Sequence, residues 1–173
     1  MATPFRSTVQ GVEVSFEPEE LRILSTMVDE LAMMLAPSDA DSTLGLGLLG
    51  AAAISADPVL ARLLPDAYDS DPEAAREFRR LTEIGLRTHK AQALSAMRAS
   101  LLGADATLCL DRSEAAHWLA GLNDLRLAIG TRLGEHRGDS TAIEVARNLY
   151  DWLTWLQDTL ITALHNGADT VTS

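Results

Sequence analysis

Charged side chains interrupt one of the most apolar stretches of the chain, GLNDLRLAIGTRLG at residues 121–134. Apolar residues recur there every three or four positions, as on a buried helix, and Asp124, Arg126 and Arg132 lie among them. An acid beside two arginines is suited to catalysis, to contact with a partner, or to a polar network inside the core. No nucleophile, general base or metal cluster accompanies these residues in the sequence, so catalysis has the least support of the three.

A helix that is apolar on nearly all sides is expected to be buried on most of them. Its predicted buried stripe consists of Trp118, Leu122, Leu125, Ile129 and Leu133. A buried charge without a partner is costly, so each arginine in this setting requires an acceptor. We therefore predict a structural polar network of Asp124, Arg126, Arg132 and Asp151, with Glu83 as a further acceptor.

Basic residues form a line along the longest predicted helix, at about residues 71–102. Six of the 14 basic residues of the chain lie there: Arg76, Arg79, Arg80, Arg87, Lys90 and Arg98. This basic ridge is a candidate binding surface for an acidic protein or for a phosphate backbone. The alternative is a solvated face that neighbouring glutamates neutralise through pairs three or four residues apart.

The opposite face of the same helix combines small and polar residues, among them Gly85, His89, Gln92 and Ala93. Small side chains allow a second helix to approach closely, so we expect this face to be buried, with His89 and Gln92 hydrogen-bonded across the interface. No second histidine or cysteine lies at ligand spacing from His89, so a metal site is not predicted.

Two further side chains are candidates for function. Trp155 lies on the polar side of the last predicted helix, which favours a protein interface, where tryptophan is enriched; cover by the N-terminal segment is the alternative. Cys109 is the single cysteine, which excludes an intramolecular disulfide within this sequence and favours a reducing compartment. A cysteine in a short strand is more often an inert small hydrophobe than a reactive thiol.

The hydrophobic pattern predicts an α+β protein that is predominantly α-helical, a helical bundle with a small antiparallel sheet. The sheet consists of an N-terminal hairpin over residues 5–16, broken at Gln10 and Gly11, and a strand near residues 106–110. Helices are predicted at about 17–36, 57–65 and 71–102, from a cap at Asp111 or Ser113 to 133, and from a capping box at Thr141 and Glu144 to 165. Residues 1–165 form one predicted domain, and residues 166–173 a flexible tail.

The composition restricts the classes of function. The formal net charge is −11, and such a chain repels nucleic acid on average, because DNA binding depends on lysine and arginine. The longest apolar run, residues 44–54, is about half the length that a membrane span needs. No signal peptide pattern is found at the start of the sequence. With the lone cysteine, these features predict a cytoplasmic location and no membrane contact.

Gly45, Gly47 and Gly50 match the spacing of the dinucleotide-binding fingerprint G-x-G-x-x-G. That fingerprint requires a preceding strand and a βαβ unit around it. Here a polar loop precedes the glycines, and no strand pattern follows for about fifty residues, well beyond a compact βαβ unit. We therefore predict a loop that enters a short helix, and no nucleotide or other cofactor.

Three segments together resemble a known family: DPVLARLLPDAYDSDPEAAREFRRLTEIGLRTHK, WLAGLNDLRLAIGTRLG and YDWLTWLQDTL. With the leading FEPEE they span most of the chain, and they are similar to the actinobacterial family of unknown function that includes the redox-responsive transcriptional regulator AosR. The resemblance implies a cytoplasmic, mainly helical regulator that acts through the transcription machinery, including a stress sigma factor. Genes of the family tend to lie near the Clp adaptor gene, which also permits a role linked to proteolysis.

Redox sensing by the characterised member of that family is attributed to two cysteines close in sequence, whereas this chain has Cys109 alone. An intramolecular switch of that kind is therefore unavailable within this sequence. At most, Cys109 is open to thiolation or to an intermolecular disulfide.

The leading prediction is a non-enzymatic regulatory protein that acts by protein–protein contact, as a homodimer, in transcriptional control of stress or sulfur metabolism. Two alternatives stay open: a DNA-binding transcription factor that uses the basic ridge, and an accessory protein of Clp proteolysis. No catalytic, cofactor-binding or metal-ligating residue is predicted.

Overall fold

A computed structural model describes residues 2–36, 57–65, 72–103, 106–135 and 140–170, with the side chains of 72–84, 135, 140 and 168–170 left aside. The three glycines of the G-x-G-x-x-G spacing lie outside the described residues. The elements in chain order are β1 (Arg6–Thr8), β2 (Gly11–Ser15), α1 (Pro18–Leu35), α2 (Pro58–Leu63), α3 (Pro72–Leu102), β3 (Thr107–Leu110), α4 (Arg112–Glu135) and α5 (Ser140–Thr170). This architecture confirms the predicted class, a predominantly helical α+β fold with a small antiparallel sheet.

The sheet has the order β1-β2-β3, and both pairings are antiparallel. Strand β2 alternates strictly, with Val12 and Val14 buried against the helices and Glu13 exposed beside Cys109 of β3. Gly11 begins β2 at φ 152°, and a Cβ atom there would lie 2.1 Å from the Leu110 carbonyl oxygen. Glycine is therefore required at this position, both by the positive φ and by the approach of β2 to β3.

Aspartate side chains cap the first turns of α2 and α4. Asp57 accepts hydrogen bonds from the backbone amides of Val59 (2.8 Å) and Leu60 at the start of α2. At the start of α4, Asp111 accepts from the amides of Ser113 (2.7 Å) and Glu114 (2.8 Å). Of the two caps predicted for α4, the structure thus selects Asp111.

Helix α5 differs from the prediction at both ends. It begins at Ser140, one residue before the predicted cap Thr141, and it continues to Thr170 instead of ending near residue 165. A Cβ atom on Gly167 would lie 2.8 Å from the Ser7 hydroxyl of β1. The last turns therefore dock against the hairpin, and this tertiary contact extends the helix beyond its sequence signal.

Helix α4 lies at the centre of the fold and contacts the other four described helices as well as β2 and β3. Its predicted stripe is buried at Trp118, Leu122 and Leu125, which confirms that the helix is enclosed on most sides. The α3–α4 contact is close at Gly121, where a Cβ atom would lie 2.8 Å from the Met97 sulfur.

The face of α3 that packs only partly matches the predicted one, since Ala93 belongs to both. Gly85, His89 and Gln92 are exposed, whereas the buried face consists of Ala93, Leu94, Met97 and Leu101. Long apolar side chains remove more area from water than small residues do, so they determine which side of the helix faces the core. The prediction of a buried His89 with a partner across the interface was therefore wrong.

Candidate functional site

A buried ion pair joins α3 to α4. The Lys90 ammonium lies 2.6 Å from the Asp124 carboxylate, and the two side chains are 14% and 3% exposed. Lys90 was predicted as part of the basic ridge, and Asp124 as an acceptor for an arginine. The structure instead pairs them with each other, because the rotation of α3 turns Lys90 toward the core.

Arg126 lies on the side of α4 that faces α5, where its hydrogen-bond partners are neutral. One guanidinium nitrogen donates to the amide oxygen of Gln157 and another to the Tyr150 hydroxyl at 3.4 Å. The guanidinium carbon lies 5.3 Å from the centre of the Tyr150 ring, within the range of a cation–π contact. The Arg126 Nε atom is buried and has no hydrogen-bond acceptor among the described residues.

The other two members of the predicted polar network lie elsewhere. Arg132 is exposed, and its guanidinium contacts the Met34 sulfur of α1 at 3.6 Å. Asp151 is exposed on α5. In the described residues, therefore, Asp124, Arg126, Arg132 and Asp151 do not bond to one another, and the polar groups of α4 serve separate contacts with α1, α3 and α5.

The described part of the basic ridge is engaged within the chain. Arg87 donates to the carbonyl oxygens of Leu35 and Ala36 at 3.3 and 3.4 Å, which satisfies the C-terminal end of α1. Arg98 pairs with the Asp29 carboxylate of α1 at the surface. The side chains of Arg76, Arg79 and Arg80, in the first half of α3, lie outside the described ones, so their role in partner binding stays a prediction.

A cavity of about 360 Å³ lies between α2, α4 and α5. Its polar lining includes Arg62, Asn123, Arg126, Thr131 and Tyr150. Of these residues, Arg126 alone was among the predicted site residues. Helical periodicity places Asn123 one turn before Arg126 on α4, but no signal in the sequence shows that Arg62 of α2 and Tyr150 of α5 converge on them.

Trp155 and Cys109 are both exposed. The Trp155 side chain, 36% exposed, lies on the outer side of α5 with Asp151 and Asp158. Cys109 lies on the solvent side of the sheet, where its sulfur is 3.7 Å from the Glu13 carboxylate. Over the described residues no three His, Cys, Asp or Glu side chains are grouped as metal ligands would be.

Fold and site together define a helical bundle, closed by a three-stranded sheet, whose central helix carries one buried ion pair and one arginine held by neutral groups. The chain matches the family described as "Domain of unknown function (DUF2017)" over residues 2–164, so it belongs to that family.

The relatives of the chain confirm the resemblance found in its sequence. It is 31% identical to the putative oxidative stress regulator AosR of Mycobacterium leprae over 172 residues, which cover 85% of this chain and 79% of that protein. The oxidative stress regulators AosR of Mycobacterium bovis and Mycobacterium tuberculosis are each 30% identical over 175 residues, 87% of this chain and 80% of theirs. No solved structure matches the chain significantly. Within the described residues, no helix is long and apolar enough to cross a membrane.

Proposed function

We propose that this chain is a non-enzymatic regulatory protein that acts by contact with another protein in the response to oxidative stress. The observation that carries the proposal is its similarity, over 85–87% of its length, to proteins named oxidative stress regulators. The similarity covers about four fifths of those relatives, so it spans the shared domain and not a single motif.

The proposed partner is the transcription machinery, including a stress sigma factor, and the proposed location is the cytoplasm. The exposed Trp155 supports a protein-contact surface on α5, since tryptophan is enriched where proteins meet. We further propose that the chain forms a homodimer and that sulfur metabolism is among its targets.

Direct DNA binding by the basic ridge has less support. Lys90 and Arg98 are neutralised by carboxylates, and Arg87 is bonded to the end of α1. A phosphate backbone is bound by cations that are free to replace its counterions, and the net charge of −11 opposes its approach. Arg76, Arg79 and Arg80 would have to supply the contacts.

Affinity capture of the full chain from its native host tests the proposal. We expect RNA polymerase subunits and a sigma factor with the wild type, and at least about tenfold less with Arg76→Glu/Arg80→Glu, because two reversed charges replace attraction with repulsion. The matched control is Arg22→Glu/Arg112→Glu, which reverses two exposed arginines outside the ridge and should leave recovery unchanged.

The other outcomes of that capture decide between the alternatives. Recovery of Clp components without RNA polymerase would contradict the proposal and favour the proteolytic role. A salt-dependent gel shift of duplex DNA by the purified chain, lost in Arg76→Glu/Arg80→Glu, would favour direct DNA binding. Light scattering measures the proposed dimer, and a monomeric mass would contradict it.

Regulation by this chain is expected to persist without its thiol. Cys109→Ser should change the free energy of unfolding by no more than about 0.5 kcal/mol, because the residue is exposed and its side-chain contact is with a surface carboxylate. Recovery of the captured partner, with and without peroxide, should stay within about twofold of the wild type, since no buried contact is lost. An oxidant response that vanishes with Cys109→Ser would show instead that an intermolecular reaction of this thiol carries the signal.

A further inference from the structure

The cavity between α2, α4 and α5 holds a positive charge without a matching negative one. Arg126 lines the cavity and is bonded to an amide oxygen and a phenol, both of which are neutral. Neither Arg126 nor Arg62 forms an ion pair with a carboxylate in the part of the chain that the structure describes. A partly buried guanidinium without an anion is unfavourable, whereas a bound anion would compensate its charge.

Further donors converge on the same space. Arg62, in the last turn of α2, lines the cavity from its exposed side. The Asn123 amide also lines it and makes no side-chain hydrogen bond to another described residue. The Thr131 hydroxyl, in contrast, donates to the Leu127 carbonyl at 2.8 Å, so its proton is already committed. Two guanidinium groups and one amide are therefore available to an incoming acceptor.

The shape of the cavity depends on the glycine at position 130. At Gly130 a Cβ atom would lie 3.3 Å from the Tyr150 ring, so a larger residue would press on the ring or fill the space. Leu127 and the Tyr150 ring supply apolar wall. A volume of about 360 Å³ is near the lower end for small-molecule sites, which combine apolar walls with a few placed polar groups.

We propose that this cavity binds a small organic anion, whose carboxylate or phosphate group is held by the guanidinium groups of Arg126 and Arg62 and by the Asn123 amide. The planar guanidinium presents paired donors that match both oxyanions. The remainder of the ligand lies against Leu127 and Tyr150. Because α4 and α5 also pack against each other, an occupant would bridge the two helices. The proposal does not depend on the regulatory role proposed above.

Titration of the full chain with succinate and with inorganic phosphate tests the site, read by calorimetry and by the ¹H–¹⁵N signals of the arginine side chains. We expect saturable binding of at least one probe, which also shows whether carboxylate or phosphate is preferred. Arg126→Met should weaken the affinity at least about tenfold, because hydrogen bonds to charged groups each contribute about that much. Arg62→Met should weaken it severalfold and, being an exposed change, should preserve the fold.

Arg22→Met is the matched control, since it removes the same atoms from an exposed arginine on α1, outside the cavity. This control measures any general weakening of anion binding that follows from the loss of one positive charge. Equal titration of the wild type, Arg62→Met and Arg126→Met would overturn the proposal. The proposal would also be overturned if neither probe saturated the chain at concentrations up to about 50 mM, because a site with a millimolar dissociation constant would be filled at that concentration.

Discussion

Replacing Asp124 with alanine is expected to lower the free energy of unfolding by about 3–5 kcal/mol, because it leaves the Lys90 ammonium buried without a counter-charge. The pair is short, at 2.6 Å, and the two side chains are only 14% and 3% exposed. In the wild type their mutual attraction offsets the cost of removing both ions from water. The variant keeps the cost for Lys90 and loses the attraction. Denaturant unfolding followed by circular dichroism measures the difference.

Asp29→Ala is the matched control for this prediction. It removes the same kind of carboxylate from a surface ion pair with Arg98 of α3, in which the side chains are 53% and 44% exposed. Exposed pairs contribute at most about 1 kcal/mol, since water solvates both ions after the pair is broken. Equal losses in the two variants would mean that burial does not increase the cost of breaking the Lys90–Asp124 pair.

The double variant Lys90→Met/Asp124→Leu separates stability from recognition. Replacing a buried ion pair with apolar residues is often neutral or stabilising. The free energy of unfolding of the double variant should therefore lie within about 1 kcal/mol of the wild-type value or above it. If Lys90 acts only within the fold, the double variant will also capture the same partner in the same amount. If a stably folded double variant no longer captured the partner, Lys90 would have to contribute to partner binding.

Periodicity predicted the elements of the fold because most of them carry a local signal. The hairpin is fixed by alternation and by Gly11, where β2 meets the Leu110 carbonyl. The helix starts are fixed by acidic caps such as Asp57 and Asp111, whose carboxylates accept backbone hydrogen bonds within three residues. The end of α5 carries no such signal, since it depends on contact between Gly167 and a strand far away in sequence.

The orientation of α3 shows where pattern recognition failed. A line of basic residues suggested an outer face, and small residues suggested the packed one. The fold instead buries Leu94 and Met97, and it places Lys90 beside Asp124 on the same side. A lysine beside a buried carboxylate can lie within a packed face, so charge alone does not identify the solvent side of a helix.

The candidate site was only partly predictable for a related reason. Arg126 was identified because a charge stands out in an apolar helix, but its partners Gln157 and Tyr150 belong to α5, which no local pattern relates to it. Arg62 comes from a short helix and is unremarkable in sequence. Its presence at the same cavity is a property of how α2 packs on α4.

Trp118→Ala is expected to lower the free energy of unfolding by about 3–5 kcal/mol, because it empties the largest buried side-chain volume of the core. The indole contacts Phe5 edge-on at 6.1 Å and stacks on Phe16 at 6.0 Å between ring centres. Its nitrogen donates to the Ser100 hydroxyl of α3 at 2.8 Å. One side chain of α4 therefore joins the two ends of the hairpin segment to the long helix.

Two further variants divide this loss into its parts. Ser100→Ala removes the acceptor of the indole N–H, and the unsatisfied donor should lower the free energy of unfolding by about 1–3 kcal/mol. Trp155→Ala removes the same side chain from a site that is 36% exposed and should cost less, since part of the indole already contacts water in the folded chain. Similar losses for Trp118→Ala and Trp155→Ala would contradict the packing described for the core.

The position of Trp118 also predicts how the weakened protein opens. Phe5 and Phe16 flank the hairpin and hold it to the bundle through this indole, so Trp118→Ala should expose the β1 and β2 amides to hydrogen exchange before those of α4 and α5. Ser100→Ala leaves both ring contacts in place and should slow this local opening relative to Trp118→Ala. Loss of protection across the whole chain at once would instead mean that the hairpin and the helices unfold as one cooperative unit.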